Sequence, residues 1–443
     1  MIARYIPKVI LVLLLLIFCG VVFHAPLSVG FGSLWPDLAL PIKAWKEVLV
    51  LVVLCLLSIE VSRQKKWRLL WDDWLMRIAG LYALLHYISL LIVWQGGAQV
   101  VAGLMIDLRF IAFFVAIYIS CRLYPAWRKP LLIGGGVAAV FSMLFALLQV
   151  IILPHDVLSL VGYDESTIAP YLTVDQNYNF IRINGTLRGP NPLGIYAGMV
   201  VAVGAALLLS RWHQMKTYWK MLPWFVVGTI GMASVALWFS YSRSALIMAA
   251  CATGMLFAMR YWSRIPRTLW IAIGAAIIVA IGGIYALKDT SFVSTVILHE
   301  DPEEGGSVNS NDGHRASLID GVSRMLRQPF GAGVGSTGSP SLMGDEGLII
   351  ENHYLYIAHE VGWLGLAIFL VLFVFILCKL WARRDDWLAA SVFACGVGIA
   401  VAALFLPVWA DDTVSMVWWG LAGVALVSND KRNERVRKNG TFE

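Results

Sequence analysis

The sequence predicts an all-α polytopic membrane protein with about twelve transmembrane helices. Of its 443 residues, 59% are hydrophobic and only 14% are charged, and the mean hydropathy is +0.74. Soluble domains contain about 45–50% apolar and about 25% charged residues. The composition therefore excludes an ordinary cytosolic or secreted enzyme, a disordered chain and a small disulfide-stabilised fold.

The spans are predicted from apolar runs of about 20 residues, the length of helix that crosses a hydrocarbon core about 30 Å thick. The first run follows Arg4 and Lys8, as in a signal peptide, but a second run comes soon after and no small-residue cleavage site precedes a soluble domain. We therefore interpret it as the first span. The predicted spans lie near residues 9–24, 44–61, 75–95, 100–120, 131–153, 193–210, 222–240, 244–262, 268–287, 355–381, 388–409 and 413–428.

The orientation follows from the basic residues, most of which lie in alternate connecting segments. By the positive-inside rule these segments are cytoplasmic, which places both termini in the cytoplasm. Because the net charge of +6 comes from short interhelical segments, it does not indicate nucleic-acid binding. The cytoplasmic set comprises Arg4 and Lys8; Arg63, Lys65, Lys66 and Arg68; Arg122, Arg128 and Lys129; Arg211, Lys216 and Lys220; Arg260, Arg264 and Arg267; Lys379, Arg383 and Arg384; and the tail from Lys431 to Lys438.

Two long extracytoplasmic loops are predicted, at about 154–192 and 288–354, the second directly before the tenth span. The second loop carries one helical stretch, from about Arg315 to Arg327, with apolar residues at helical spacing. No separate soluble domain and no internal repeat is found, so residues 1–443 form one integral membrane domain. The six cysteines lie in or beside apolar runs without metal-ligand spacing, and neither a metal site nor a cofactor is predicted.

Five arginines on or near the outer side have no topological reason to be there: Arg109, Arg182, Arg188, Arg243 and Arg315. Arg109 lies within a span near Asp107, where a charged residue indicates either a functional site or a structural ion pair. Arg188 precedes a Gly-Pro-Asn-Pro turn at the start of a span, which places a guanidinium beside helix N-terminal amides and suits an anionic ligand such as phosphate.

Two further candidate cations are Arg243, in a short outer turn flanked by Ser242 and Ser244, and Arg315, at the start of the loop helix. Arginine side chains bind phosphate groups through two parallel hydrogen bonds. We therefore expect Arg188, Arg243 and Arg315 to converge on one diphosphate. The alternative for each of these arginines is a structural role, as an anchor at the membrane interface or as a solvated surface residue.

Acidic and imidazole groups occur together just before the tenth span, in the sequence Glu351-Asn352-His353. A carboxylate or an imidazole at this position could act as a general base toward a sugar hydroxyl, although a lone His is more often structural. Asp411 and Asp412, in the last outer turn, could bind a sugar or a cation or could be solvated.

Taken together, these elements resemble the O-antigen ligase and polymerase superfamily of bacterial envelope glycosyltransferases, over about residues 180–370. The matching elements are Arg-Gly-Pro-Asn-Pro-Leu-Gly at 188–194, Ser-Arg-Ser at 242–244, Arg315 followed by Gln-Pro-Phe-Gly-Ala-Gly-Val-Gly from 328, and the stretch from Glu351 to Gly365, which is similar to the signature His-Asn-x-x-Leu-x-x-x-x-Glu-x-Gly-x-x-Gly.

The resemblance implies a GT-C-like enzyme of the bacterial cytoplasmic membrane that acts at its outer face. An acceptor sugar hydroxyl would attack an undecaprenyl-pyrophosphate-linked glycan with inversion, without a metal, while arginines neutralise the diphosphate. The implied partners are this glycan donor, a glycan or lipid-linked acceptor, the bilayer and other polysaccharide assembly proteins. Asn352 and Arg109 are predicted to contribute to substrate binding.

One departure from the signature is that Glu351 stands where the ligases have His. Glu351 is then the predicted base, with His353 as its substitute or partner. With this departure, the sequence is at least as consistent with repeat-unit polymerisation, or with transfer to an envelope acceptor other than lipopolysaccharide, as with ligation. The main alternative is a transporter or flippase of lipid-linked oligosaccharide, although such proteins commonly contain two related halves. An envelope scaffold is a third reading.

Overall fold

The computed structural model describes residues 5–174, 177–261, 310–345 and 347–427, together with 292–298 and a few residues between 266 and 290. Most of this is helix and very little is strand, which confirms the all-α polytopic class. The elements are α1 Ile6–Gly20, α2 His24–Leu34, α3 Ala39–Lys43, α4 Trp45–Arg63, α5 Arg68–Trp71, α6 Trp74–Ile92, α7 Gly97–Leu123, α8 Arg128–Ile151, β1 Leu172–Val174, β2 Asn177–Arg182, α9 Pro190–Tyr218, α10 Leu222–Phe239, α11 Arg243–Tyr261, α12 Ser310–Arg327, α13 His353–Trp381, α14 Trp387–Ala402 and α15 Asp412–Ala425. Short 3₁₀ segments lie at Val21–Phe23, Pro36–Leu38, Pro125–Trp127, Val157–Val161, Ser341–Met343 and Val408–Ala410, and a π-helical turn lies at Phe292–Leu298.

Within the described residues, 8 helical segments are long and apolar enough to cross a membrane. They are the continuous stretch Ile6–Leu34, α6, α7, Pro125–Ile151, α9, α10, α11 and α13. Helices α4, α14 and α15 coincide with three further predicted spans but are shorter or more charged. The predicted span at 268–287 and the basic tail lie largely or wholly outside the described residues, so the number twelve stays a prediction.

The helices turn large apolar side chains outward, as lipid-facing helices do. Leu16 is 53% exposed, Leu91 87% and Val371 55%. Exposed apolar surface on this scale marks contact with a membrane or another apolar surface. The bundle is therefore built to be surrounded by lipid.

Small residues bring three helices together beneath the predicted outer face. Helix α11 packs against α9 and α14. A Cβ on Gly194 of α9 would lie 2.5 Å from Ser240 Oγ, and a Cβ on Gly398 of α14 would lie 2.5 Å from the Met248 carbonyl oxygen of α11. Membrane helices commonly approach through such small residues, and here the contact draws the start of α9 to the turn before α11.

The loop predicted at 154–192 contains an antiparallel hairpin of β1 and β2, in which Leu172 pairs with Arg182. The hairpin was not predicted. Its base is attached to the bundle, since the Asn184 side chain donates to the Ala169 carbonyl over 2.8 Å and the Gly185 amide donates to Gln149 over 2.8 Å. Arg182, the last residue of β2, therefore has a fixed position above the helices.

Helix α13 is interrupted at Val361 and Gly362, where Gly362 has φ +70°. The segment that follows α12 fills the interruption. Ala332 N–H donates to the His359 carbonyl over 2.6 Å, Gly333 N–H donates to the Glu360 carbonyl over 3.0 Å, and Trp363 N–H donates to the Pro329 carbonyl over 2.9 Å. Irregular backbone at membrane depth requires such internal partners, so the late outer loop is an integral part of the bundle.

Candidate functional site

A cavity of about 510 Å³ lies where the ends of β2, α9, α11, α12 and α13 meet. This is the side of the bundle at which the two predicted outer loops come together. Its lining combines charged and hydroxyl or amide groups with a few apolar side chains. The polar residues are Arg182, Asn191, Tyr241, Ser242, Arg243, Ser244, Arg315, Ser317, Glu351 and Asn352. We call it the arginine cavity.

Arg182 is held in the arginine cavity by two hydrogen bonds. Its Nε donates to the Ser240 carbonyl over 2.9 Å, and its Nη2 donates to Asn191 Oδ1 over 2.7 Å. These contacts join the hairpin to the first turn of α9 and to the turn before α11. The guanidinium is thus oriented before any ligand arrives.

Arg243 is the first residue of α11 and follows a tight turn. Within that turn Tyr241 has φ +46°, a conformation that residues other than glycine rarely adopt. Strained backbone of this kind concentrates at functional sites. The turn brings Ser242, Arg243 and Ser244 to the cavity wall.

Arg315 and Glu351 enter the cavity from the late outer loop and the start of α13. Arg315 is an exposed residue of α12. Two positions further along α12, Ser317 Oγ accepts a hydrogen bond from the Glu351 amide over 3.4 Å. The helix and the carboxylate-bearing segment are therefore joined, and three guanidinium groups share one cavity with one carboxylate.

Glu360 of α13 fixes the segment that carries Glu351 through hydrogen bonds to residues of the late outer loop. Glu360 Oε1 accepts hydrogen bonds from Gly335 N–H over 3.1 Å and from Thr337 N–H over 3.4 Å. Thr337 Oγ1 in turn accepts from the Ile350 amide over 3.2 Å.

Asn352 and His353 have structural contacts. Asn352 caps α13, since its Oδ1 accepts from the Tyr354 and Leu355 amides over 3.0 and 3.1 Å and its Nδ2 donates to the Leu404 carbonyl over 2.9 Å. Although Asn352 lines the arginine cavity, most of its hydrogen-bonding capacity is used. His353 is 3% exposed, stacks on Tyr356 at 5.4 Å and does not line the cavity. The structure therefore does not bring Glu351 and His353 together, because α13 has begun at residue 353.

Arg188 lies beside a second cavity, of about 250 Å³, that adjoins the first. Its Nη2 donates to Ser339 Oγ over 3.3 Å. Asn191 and Leu406 line both cavities. Of the three arginines predicted to converge on one diphosphate, Arg243 and Arg315 line the arginine cavity, whereas Arg188 lines the neighbouring one.

Asp411 also lines the second cavity and caps α15 by accepting from the Val414 amide over 2.9 Å. Burial and the adjacent Asp412 carboxylate raise the pKa of Asp411 to about 6, against the opposing effect of Arg109 and Arg188. Asp411 therefore changes charge near the lower end of the physiological pH range.

Arg109 lies outside both cavities, in a buried ionic network between α2, α4, α7 and α15. It pairs with Asp412 and with Glu47, and it donates to the Ala410 carbonyl. Asp412 is also 2.8 Å from His24 Nε2 and 3.0 Å from Lys46 Nζ. Arg109 pairs with these acids rather than with Asp107, which lies near His86 and Glu360.

Arg182 is the candidate residue that sequence reasoning did not select. It belongs to the five arginines with no topological purpose, but no motif surrounds it. The signal available in the sequence was its position, six residues before Arg188 in a polar loop. The residues described by the structure contain no group of three or more His, Cys, Asp or Glu side chains placed to hold a metal ion.

No family model matches the chain. Over 295 residues it is 22% identical to an O-antigen polymerase from Salmonella muenchen, which corresponds to 64% of this chain and 69% of that relative. The chain resembles an O-antigen polymerase. This similarity supports the O-antigen ligase and polymerase superfamily that the motifs indicated, and the membrane-spanning helical fold is in keeping with it.

Proposed function

We propose that the protein is a membrane glycosyltransferase that polymerises lipid-linked glycan repeat units. The observation that carries this proposal is the arginine cavity, in which Arg182, Arg243 and Arg315 surround a space of about 510 Å³ together with Glu351. A cavity of this size is within the roughly 300–1,000 Å³ range of small-molecule sites. Its excess of guanidinium groups favours an anionic ligand.

The ligand that fits this charge is the diphosphate of a polyprenyl-pyrophosphate-linked glycan. Three guanidinium groups against one carboxylate leave a net charge of about +2, which matches the two charges of a pyrophosphate diester. Arginine binds phosphate oxygens through paired hydrogen bonds. The surrounding apolar surface of the helices would accommodate the lipid chain of the same donor.

The proposed reaction is an inverting displacement at the anomeric carbon of the donor. Glu351 takes the proton of an acceptor sugar hydroxyl while that oxygen forms the new glycosidic bond. The bond between the anomeric carbon and the lipid diphosphate breaks, and the diphosphate leaves with both electrons of that bond. Arg182, Arg243 and Arg315 stabilise the negative charge that develops on it.

Polymerisation is proposed in preference to ligation for two reasons. The O-antigen polymerase from Salmonella muenchen shares 22% identity with the chain, and Glu351 replaces the His that the ligase signature carries at this position. The reaction would take place at the outer face of a bacterial cytoplasmic membrane, where the positive-inside rule puts the two long loops. Other polysaccharide assembly proteins would supply the substrate there.

The test is the length of the glycan on the lipid carrier in cells that lack this protein. Accumulation of single repeat units, reversed by the wild-type chain but not by Arg243→Gln, is the expected result. Long polymer that stays on the lipid would contradict polymerisation and indicate a ligase. Repeat units confined to the cytoplasmic leaflet would instead indicate a transporter.

A further inference from the structure

The second cavity has an environment different from that of the arginine cavity. Its charged lining residues are one guanidinium, Arg188, and one carboxylate, Asp411, so its net charge is close to zero. The neighbouring cavity carries three guanidinium groups against one carboxylate. A diphosphate would be repelled by Asp411 in the second cavity. An uncharged polar ligand would find both hydrogen-bond donors and hydrogen-bond acceptors there.

The polar groups of the second cavity offer the hydrogen bonds that a sugar ring needs. The Asp411 carboxylate accepts from hydroxyl groups, Arg188 and Asn191 donate to them, and the Ser339 hydroxyl can do either. Apolar lining from Pro407 and Ile350 gives the C–H faces of a ring a surface to pack against. At about 250 Å³ the space is smaller than most small-molecule sites and suits about one sugar residue.

The position of the second cavity also matches an acceptor. Asn191 and Leu406 form part of both walls. The chain passes from Ile350, which lines the second cavity, directly to Glu351, which lines the arginine cavity. Because these two residues are adjacent, we expect a hydroxyl group that extends from the second cavity past this wall to approach the carboxylate that our mechanism uses as the base.

We propose that the second cavity binds the terminal sugar of the acceptor glycan, with Asp411 and Arg188 as its principal hydrogen-bonding partners. This assignment rests on the proposed glycosyl transfer. It separates the two substrates, with the lipid diphosphate of the donor beside Arg182, Arg243 and Arg315 and the acceptor sugar beside Arg188. It also gives Arg188 a role that a single diphosphate site does not provide.

The test measures binding of a non-phosphorylated sugar probe to the full chain in detergent or nanodiscs. The probe is the host's own repeat-unit oligosaccharide, released from its lipid and tagged with a fluorophore at the reducing end. Asp411→Asn keeps the helix cap, since Asn is as good an N-cap as Asp, and Ser339→Ala removes only a hydroxyl group. We expect each of these variants, and Arg188→Gln, to weaken probe binding about tenfold, as loss of one ligand hydrogen bond does.

The controls are Arg324→Gln, an α12 residue that pairs with Asp320 outside both cavities, and Arg315→Gln, which should weaken donor binding but leave probe binding unchanged. Unaltered probe binding in Asp411→Asn and Arg188→Gln, or no probe binding by the wild-type chain, would overturn the assignment. Probe binding by a wild-type chain that transfers no glycan would instead contradict the proposed function and leave the sugar site standing.

Discussion

Glu351 shares its cavity with Arg182, Arg243 and Arg315, although these residues come from four different parts of the chain. A carboxylate among guanidinium groups would ordinarily form ion pairs with them and take no part in catalysis. Here the preceding residue, Ile350, lines a second, nearly neutral cavity, so Glu351 follows directly after a residue of that cavity. That position, between the predicted places of leaving group and acceptor, is where a base for the acceptor hydroxyl is required.

Glu351→Gln should therefore lower the turnover number for glycan transfer by about 10²–10⁴-fold, the usual contribution of a general base. The variant keeps the shape of the side chain and should leave donor binding within about twofold. Transfer rates of the purified protein are the measurement. Glu165→Gln, in an exposed loop, is the matched control, and near-normal turnover in Glu351→Gln would remove that residue from the mechanism.

Arg243→Gln should reduce transfer by about 10²–10³-fold, because it removes one of the groups that stabilise the leaving diphosphate. Arg243→Lys should recover only part of this loss, since an ammonium group cannot form the paired hydrogen bonds of a guanidinium. Steady-state kinetics with Arg324→Gln as the control would measure both effects. Equal activity of the Lys and wild-type proteins would argue against paired binding of phosphate.

The sequence pointed to most of the charged residues that line the arginine cavity, but not to the way in which the fold brings them together. Arg243 and Arg315 could be selected because basic residues on the outer side have no topological purpose and both also lie in recognisable motifs. Glu351 could be selected from its position beside Asn352 and His353, just before the tenth span. Arg182 could not, since its position depends on a hairpin with no clear sequence signal. The separate location of Arg188 depends on how α9 meets the loop at Ser339, a contact between residues 151 positions apart.

At the scale of elements, the interruption of α13 is the feature that fixes the late outer loop. The carbonyl groups of His359 and Glu360 accept loop amides, and the Glu360 side chain accepts two more. Through Thr337 the same segment holds the Ile350 amide, next to Glu351. The position of the proposed base therefore depends on a break in a helix ten residues further along the chain.

Gly362→Ala should disrupt this arrangement. Gly362 has φ +70°, and a Cβ there would lie 2.4 Å from the Pro329 carbonyl oxygen. With ψ −173°, this backbone conformation is one that essentially only glycine adopts, and it costs a residue with a Cβ about 1–3 kcal/mol. The backbone contact adds to that cost. The midpoint of thermal unfolding should fall, and transfer activity with it.

Gly228→Ala is the matched control for Gly362→Ala, because a Cβ at Gly228 in α10 meets nothing within 4 Å. This variant should be neutral or slightly stabilising, since alanine favours a helix by about 1 kcal/mol over glycine. Equal stability of Gly362→Ala and Gly228→Ala would contradict the role assigned to the interruption.

Apolar runs of about 20 residues predicted the existence of most of the helices, because the length and apolarity of a span follow directly from the bilayer. The predicted loop helix near 315–327 has a counterpart in α12, Ser310–Arg327. The break at Val361 and Gly362 was not predicted, since the hydropathy of α13 is uninterrupted. A break of this kind depends on partners from residues 328–337, which local sequence does not reveal.

At the scale of the whole molecule, a buried ionic network joins early helices of the chain to its last described helix. Asp412 of α15 contacts His24, Lys46 and Arg109, which belong to α2, α4 and α7. The network lies next to the second cavity, since Asp411 lines that cavity and Asp412 follows it directly. It therefore connects the packing of the early helices with the site formed by the later ones.

Asp412→Asn should destabilise the fold by up to about 3–5 kcal/mol, because it leaves Lys46 and Arg109 with Glu47 as the carboxylate that still pairs with both. Denaturation of the detergent-solubilised protein would measure the change, with Asp385→Asn, an exposed residue, as the control. Similar stability of the two variants would mean that the network contributes nothing to the fold.

The central claim is that the protein forms glycosidic bonds from a lipid-linked donor. Its most direct test is to reconstitute the purified chain in liposomes with polyprenyl-pyrophosphate-linked repeat units and no ion gradient, and to follow glycan length over time. We expect longer glycans and free polyprenyl pyrophosphate with the wild type, and neither with Arg243→Gln. Movement of intact lipid-linked units across the bilayer without any change in their length would contradict it.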